Sequence, residues 1–234
     1  MTTAPDHVTA TGHALRRATA GALSLGLLAV SVQGEPPALW ESRWMPAAAR
    51  GKCAVRAWRV VTALGSRPVA YAAVAVRRVP PSSGHRRAAP LAPSALLAAA
   101  EVTRTLLCRA VDRPRPPVAE RLTSVDGASF PSRHTMIALV AWDLALTNRV
   151  AATAVACAVA ASRLKLRAHW PADVVGGWLF GSVCLALADL CRASSETDDR
   201  GPRPPRGARR RTAARAGRLP LVATAPGGAG VRSR

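Results

Sequence analysis

The sequence predicts an all-α protein, a six-helix transmembrane bundle followed by a disordered basic C-terminal tail. Three observations lead there. Of the 234 residues, 49% are apolar, which excludes disorder along the whole length. Those residues gather in six Ala/Val/Leu-rich runs separated by short charged or Pro-rich joints. The charge, formally +20 from 33 basic and 13 acidic residues, is nearly all arginine and is densest beyond the last run.

Composition narrows the function classes. Aromatic residues make up only 4%, too few for an RNA-stacking sheet or an aromatic cage. Cys53, Cys108, Cys157, Cys184 and Cys191 form no Cys-x-x-Cys pair and sit mostly in apolar runs, against a disulfide scaffold and against a zinc site. Basic and apolar character together leave a nucleic-acid binder or a membrane protein with basic margins, and the helical runs favour the membrane. The expected partners are therefore the bilayer and a lipid, with no nucleic acid.

Residues 1–14 read as a disordered N-terminus, 15–192 as the transmembrane domain and 193–234 as a disordered Arg/Pro/Gly-rich tail. The six runs are roughly Ala18–Val32, Val60–Val76, Ala88–Cys108, Thr135–Thr147, Val150–Ala161 and Val174–Cys191. A bilayer core needs about 20 apolar residues in helix. The second, third and sixth runs meet this, the first is a little short, and the fourth and fifth are clearly short. Arg16 and Arg17 before the first run suit a signal peptide, but Ser31-Val-Gln-Gly34 offers no small-x-small cleavage site, which favours a retained helix. Arg67 and Pro68 interrupt the second run, and Glu101 with Arg104 interrupts the third. These last two are three apart on one helix face and can pair with each other, while no partner for Arg67 is evident. Asp143, in the fourth run, is expected to pair with a buried arginine. An even number of spans puts both ends on one side, and the arginine-rich tail points that side to the cytoplasm.

Three joints carry the chemistry. Ser162-Arg163-Leu-Lys-Leu-Arg-Ala-His169-Trp-Pro-Ala-Asp173 links the fifth and sixth runs. Pro171 suits a first helical turn, so His169 stands at the mouth of the sixth helix with Asp173 one turn further in. The positive helix end keeps the imidazole neutral, and a carboxylate on its Nδ1–H leaves Nε2 free to attack an electrophile. Arg163 returns along the loop as an anion clamp. Ser129-Phe-Pro131-Ser132-Arg133-His134 opens the fourth run and places a hydroxyl and a histidine where they can bind phosphate oxygens and protonate a leaving oxygen. Asp112-Arg113-Pro114-Arg115-Pro116 ends the third run, with guanidiniums as forked oxyanion donors on a stiff backbone. In a six-helix weave with both ends inside, all three joints emerge on the same outer side.

These residues resemble the type 2 phosphatidic acid phosphatases (PAP2), whose pattern runs Lys-x6-Arg-Pro, Pro-Ser-Gly-His, Ser-Arg-x5-His-x3-Asp. The third part is complete here as Ser162, Arg163, His169 and Asp173, and the resemblance covers about Ala18 to Cys191. It implies a membrane phosphatase that removes a terminal phosphate from a lipid; no metal-ligand cluster is visible in the sequence, so no metal or cofactor is expected. His169 is then the nucleophile, Asp173 its support, His134 the acid and base, and Arg163, Arg115 and Ser132 the phosphate ligands, with Arg133 joining them. The site is expected to face the extracytoplasmic side of the cell membrane.

Two departures stand out. The lysine position falls on Cys108 in the register of Arg115-Pro116, or on Leu106 in that of Arg113-Pro114, with Arg104 one turn deeper on the face of Cys108. Arg133 replaces the glycine of the second part, and is expected to compensate in part for the missing lysine charge. Pro81-Ser-Ser-Gly-His85 mimics the second part but precedes the first, in the loop assigned to the cytoplasm, so His85 is set aside.

Overall fold

The computed structural model describes residues 4–33, 39–77 and 92–198. The chain divides into two units, Met1–Ala193 and Ser194–Arg234, and the hydrophobic core lies wholly in the first. The arginine-rich tail beyond residue 198 and the segment holding His85 lie outside the described residues. Among the described residues every regular element is helical: α1 Ala4–Ser31, α2 Leu39–Trp44, α3 Lys52–Ala63, α4 Arg67–Val76, α5 Ala92–Val111, a 3₁₀ turn Val118–Glu120, α6 Arg133–Ala145, α7 Arg149–Lys165 and α8 Pro171–Asp198.

Two expectations about the helices need correction. Residues 4–14 are helical rather than disordered. Pro5 falls in the first turn, where a missing N–H costs nothing, and no other proline follows before Pro36. Ala14 is buried, so this stretch also gains packing. The second run, expected as one span, is two helices. After α3 the chain turns at Leu64–Ser66 and restarts as α4 with Pro68 in its first turn. Arg67-Pro68 is thus a helix start, not an intrusion into a continuous helix.

At the centre lies α6, only 13 residues long, with every residue from Thr135 to Ala141 buried. A helix apolar on all faces has to be enclosed. It packs against α4, α5 and α7, while α3 packs on α7. Phe130, Met136, Ile137 and Val140 meet Leu97 of α5, Val74 of α4, Leu25 of α1 and Phe180 of α8 in one core. Glycines let the helices approach closely, as apolar bundles in lipid require. A Cβ on Gly177 of α8 would lie 2.5 Å from the Ser132 carbonyl oxygen, and one on Gly65 would lie 2.7 Å from that of His134.

The buried charges pair across helices. Glu101 takes Arg67 of α4 as its ion partner, not Arg104. Arg104 instead donates from Nε and from a terminal nitrogen to the carbonyl oxygen of Pro131, at 2.9 and 2.7 Å. That forked grip holds the cis Phe130–Pro131 peptide just ahead of α6. Asp143 has no ion-pair partner among the described residues. Only one described helical stretch, Pro171–Ala193, is both long and apolar enough to cross a membrane by itself.

Candidate active site

The spacing of the third motif follows from how α7 ends. Ser162 and Arg163 occupy its last turns, and Leu166 closes it by bonding back to the Ser162 carbonyl. Arg167 then takes a left-handed backbone (φ 53°), reversing the chain. The Ala168 N–H bonds the Arg163 carbonyl at 2.9 Å, which sets His169 one residue ahead of the N-cap of α8. Asp173 lies in the first turn of that helix and accepts the Trp170 N–H at 2.8 Å, capping it.

His169 is 2% exposed and Asp173 fully buried. The imidazole Nδ1 stands 3.4 Å from Asp173 Oδ2 and 3.4 Å from Ser129 Oγ, while Ser129 donates its own proton to Asp173. On the other edge of the ring, Arg115 places a terminal nitrogen 3.2 Å from Nε2. A guanidinium can only donate, so Nε2 must present its lone pair and the ring proton must sit on Nδ1. This is the tautomer a nucleophilic Nε2 needs. Burial holds the imidazole well below the usual histidine range; its bond to Asp173 pulls the other way, and Arg115 and Arg163 reinforce the depression. His169 is therefore uncharged at neutral pH.

Around it the cations differ in how they are engaged. The Arg115 guanidinium also donates to the carbonyls of Gly127, Ala168, Asp126 and Ala128, stapling the 126–128 loop to the His169 joint. Arg163, 2% exposed, gives one N–H to the Thr62 hydroxyl of α3 at 2.8 Å, and its buried Nε has no partner among the described residues. Such an orphan donor in a cationic pocket suits an anion. Ser132 is the N-cap of α6 but its side chain does not cap the helix. Its hydroxyl accepts from Thr135 at 3.0 Å and keeps its own proton to donate. The Ser132 N–H binds the Asp173 carbonyl at 2.8 Å, tying the starts of α6 and α8 together. His134, in the first turn of α6, has no hydrogen-bond partner among the described residues and lies within electrostatic reach of Arg163, His169, Arg133 and Arg115. Beside Arg115 opens a cleft of about 530 Å³ whose walls include Pro114, Arg121 and Asp126. No group of three His, Cys, Asp or Glu side chains able to hold a metal ion assembles among the described residues.

The family model of the PAP2 superfamily matches residues 90–195, the segment that holds all three joints. Those residues, under half of the chain, are similar to the PAP2 superfamily. The first transmembrane PAP2-type phosphatidylglycerolphosphate phosphatase from Bacillus subtilis superposes with a TM-score of 0.61 at 19% identity, over 79% of this chain and 97% of that one. LpxE of Aquifex aeolicus superposes with a TM-score of 0.51 at 20% identity, over 61% and 88%. At these identities the likeness is one of fold. No curated protein matches the sequence.

Within the PAP2 frame the departures take definite places. Cys108, where the pattern has lysine, is buried, with its thiol 3.5 Å from the Ala128 carbonyl oxygen. Arg104 does not reach up in its stead, because the Pro131 carbonyl holds it. Arg133 is half-buried, and its guanidinium has no hydrogen-bond partner among the described residues. Several residues that hold the candidate site lie outside the three-part pattern. Thr62, Ser129 and Glu41 hold Arg163, Asp173 and Arg113, and Arg113 itself is buried rather than exposed to a ligand. Arg113 did carry a signal: it stands beside Arg115 in a doubled Arg-Pro, and only one of the two can be the anion ligand.

Proposed function

We propose that this protein is an integral membrane phosphatase that hydrolyses a phosphomonoester or diphosphate on a lipid through a phosphohistidine, without metal. The observation that carries this reading is the seating of His169: a buried imidazole with Nε2 3.2 Å from the Arg115 guanidinium and Nδ1 3.4 Å from Asp173, which favours the tautomer with its lone pair on Nε2. Nε2 attacks phosphorus in line. The N–P bond forms as the P–O bond to the lipid breaks, and the departing oxygen is protonated by His134, which takes up that proton from solvent as the phosphate's negative charge enters among the surrounding cations. Asp173 stabilises the imidazolium. His134 then takes a proton from water, whose oxygen attacks phosphorus; the N–P electron pair returns to Nε2 and phosphate leaves. Arg163, Arg115 and Ser132 hold the equatorial oxygens, with Arg133 beside them, as their charge grows. For Arg115 this means exchanging its contact with Nε2 for one with phosphate.

Six spans supply the membrane part: α1, α3 with α4, α5, α6, α7 and α8. Leu27, Val60, Val76, Val102 and Val150 support it, since each is a large apolar side chain more than 60% exposed, on α1, α3, α4, α5 and α7. With the ends inside, the site opens on the extracytoplasmic side. The Bacillus subtilis neighbour, named for phosphatidylglycerolphosphate, directs the first choice of substrates.

The test is phosphate release by purified protein from a panel of phosphatidate, phosphatidylglycerol phosphate and polyprenyl diphosphate. Turnover on the best of these is expected to survive EDTA at full rate, because the guanidiniums supply the charge that a metal otherwise would. Loss of activity with EDTA and its return with Mg²⁺ would refute the mechanism. Cys108 favours a second reading, a non-catalytic member that binds phospholipid, because it puts a thiol where the pattern has a cation. Arg133 decides between them. Arg133→Gly is expected to lower phosphate release about tenfold or more, since a hydrogen bond to a charged group contributes about 1.5–3 kcal/mol. Adding Cys108→Lys should restore it; if each change alone raises activity strongly, compensation by Arg133 is wrong.

A further inference from the structure

Arg113 and Glu41 form a buried ionic chain behind the proposed nucleophile, with no part in the steps of phosphoryl transfer proposed for His169 and His134. Arg113 is 1% exposed and donates to Asp173 Oδ1 at 2.8 Å. Its other terminal nitrogen forms an ion pair with Glu41 Oε2, and Glu41 is also 1% exposed. The second oxygen of Glu41 accepts the Ala172 N–H in the first turn of α8 at 3.0 Å. Three separate pieces of chain meet here: α2, the joint after α5 and the start of α8.

The charges of this chain matter more than its bonds. Arg113 fixes the orientation of Asp173, but a guanidinium on the far oxygen also cancels the carboxylate charge. A neutral Asp–Arg pair stabilises a neighbouring cation poorly. Glu41 returns the cluster to one net negative charge while His169 is neutral. When Nε2 gives its lone pair to phosphorus the ring becomes an imidazolium, and cluster and ring together are then neutral. Without Glu41 the buried imidazolium would face a cancelled pair on one side and Arg115 and Arg163 on the other.

We infer that Arg113 and Glu41 are positioning residues for phosphoryl transfer, Arg113 by aligning Asp173 against His169 and Glu41 by keeping the cluster anionic. This inference rests on the phosphatase reading and deepens it. It assigns a role to α2, a six-residue helix outside the segment matched to the family.

Glu41→Gln is nearly isosteric and removes the charge. In single-turnover experiments with a phosphate-labelled lipid from the panel, it is expected to slow phosphohistidine formation about 10- to 100-fold. Competitive inhibition by inorganic phosphate, which reports an intact oxyanion pocket in the ground state, should stay within about twofold of the unmodified protein. Glu41→Gln combined with Arg113→Gln leaves Asp173 as a single negative charge again, and should recover at least fivefold over Glu41→Gln alone. The inference is overturned if Glu41→Gln labels at the full rate, if labelling and inorganic-phosphate binding are lost together, or if the double variant is no faster than the single one. An unmodified protein that releases phosphate without ever labelling would instead overturn the phosphohistidine reading itself, so the two failures are distinguishable.

Discussion

His169→Ala is expected to abolish the phosphoenzyme and to reduce phosphate release by a factor on the order of 10⁴ or more. Removing the nucleophile of a residue set that acts as a unit costs about as much as removing the whole set. The loss should appear in kcat and not in the affinity for inorganic phosphate, since Arg163 and the start of α6 hold a ground-state oxyanion without help from the imidazole. A variant that still turns over within tenfold of the unmodified protein would remove His169 from the chemistry. The fold should tolerate the change better than the reaction does. Asp173 keeps Arg113, Ser129 and the Trp170 N–H, and the small void left behind opens towards Arg115.

Gly177→Ala is expected to have the second largest effect, although Gly177 touches no proposed substrate atom. Its Cβ would fall 2.5 Å from the Ser132 carbonyl oxygen and 3.2 Å from the Thr135 Cβ, both in the opening turn of α6. Neither can yield as a flexible side-chain end does, so α8 and α6 must part. These two helix starts carry Asp173 and His134, and the Ser132 N–H bonds the Asp173 carbonyl across the same contact. Overpacking of this kind costs about 1–3 kcal/mol of stability. A displacement on the order of 1 Å between nucleophile and acid costs about a hundredfold in rate. Thermal denaturation in detergent, measured alongside the assay, separates the two losses. A variant with a normal melting temperature and normal turnover would show that this contact gives without consequence.

How much of the fold and the site was legible in the sequence depends on how far apart the partners lie along the chain. Ser162, Arg163, His169 and Asp173 fall within twelve residues, and their arrangement follows from a helix end, one left-handed residue and a helix start at Pro171. Such local geometry is written in turn chemistry. The grip of Arg104 on Pro131, the pairing of Arg67 with Glu101 and the bond from Arg163 to Thr62 join residues 27, 34 and 101 positions apart. No periodicity encodes them. Glu41 is more distant still, 131 positions from the Ala172 N–H it accepts, and nothing in Leu39–Trp44 marks it as different from a surface glutamate. The break between α3 and α4 is a different case. Arg67-Pro68 is an ordinary helix-start signal, overridden by the expectation that a run of that length should span a bilayer whole.

The contact between Arg115 and Nε2 of His169 has a consequence for the resting protein. A lone pair already engaged by a guanidinium attacks stray electrophiles poorly, so Arg115 shields the proposed nucleophile. Only a guest with enough negative charge to draw the guanidinium away uncovers the imidazole. In the proposed mechanism, selection for phosphate and readiness to react with it thus become one event, triggered by the same displaced side chain.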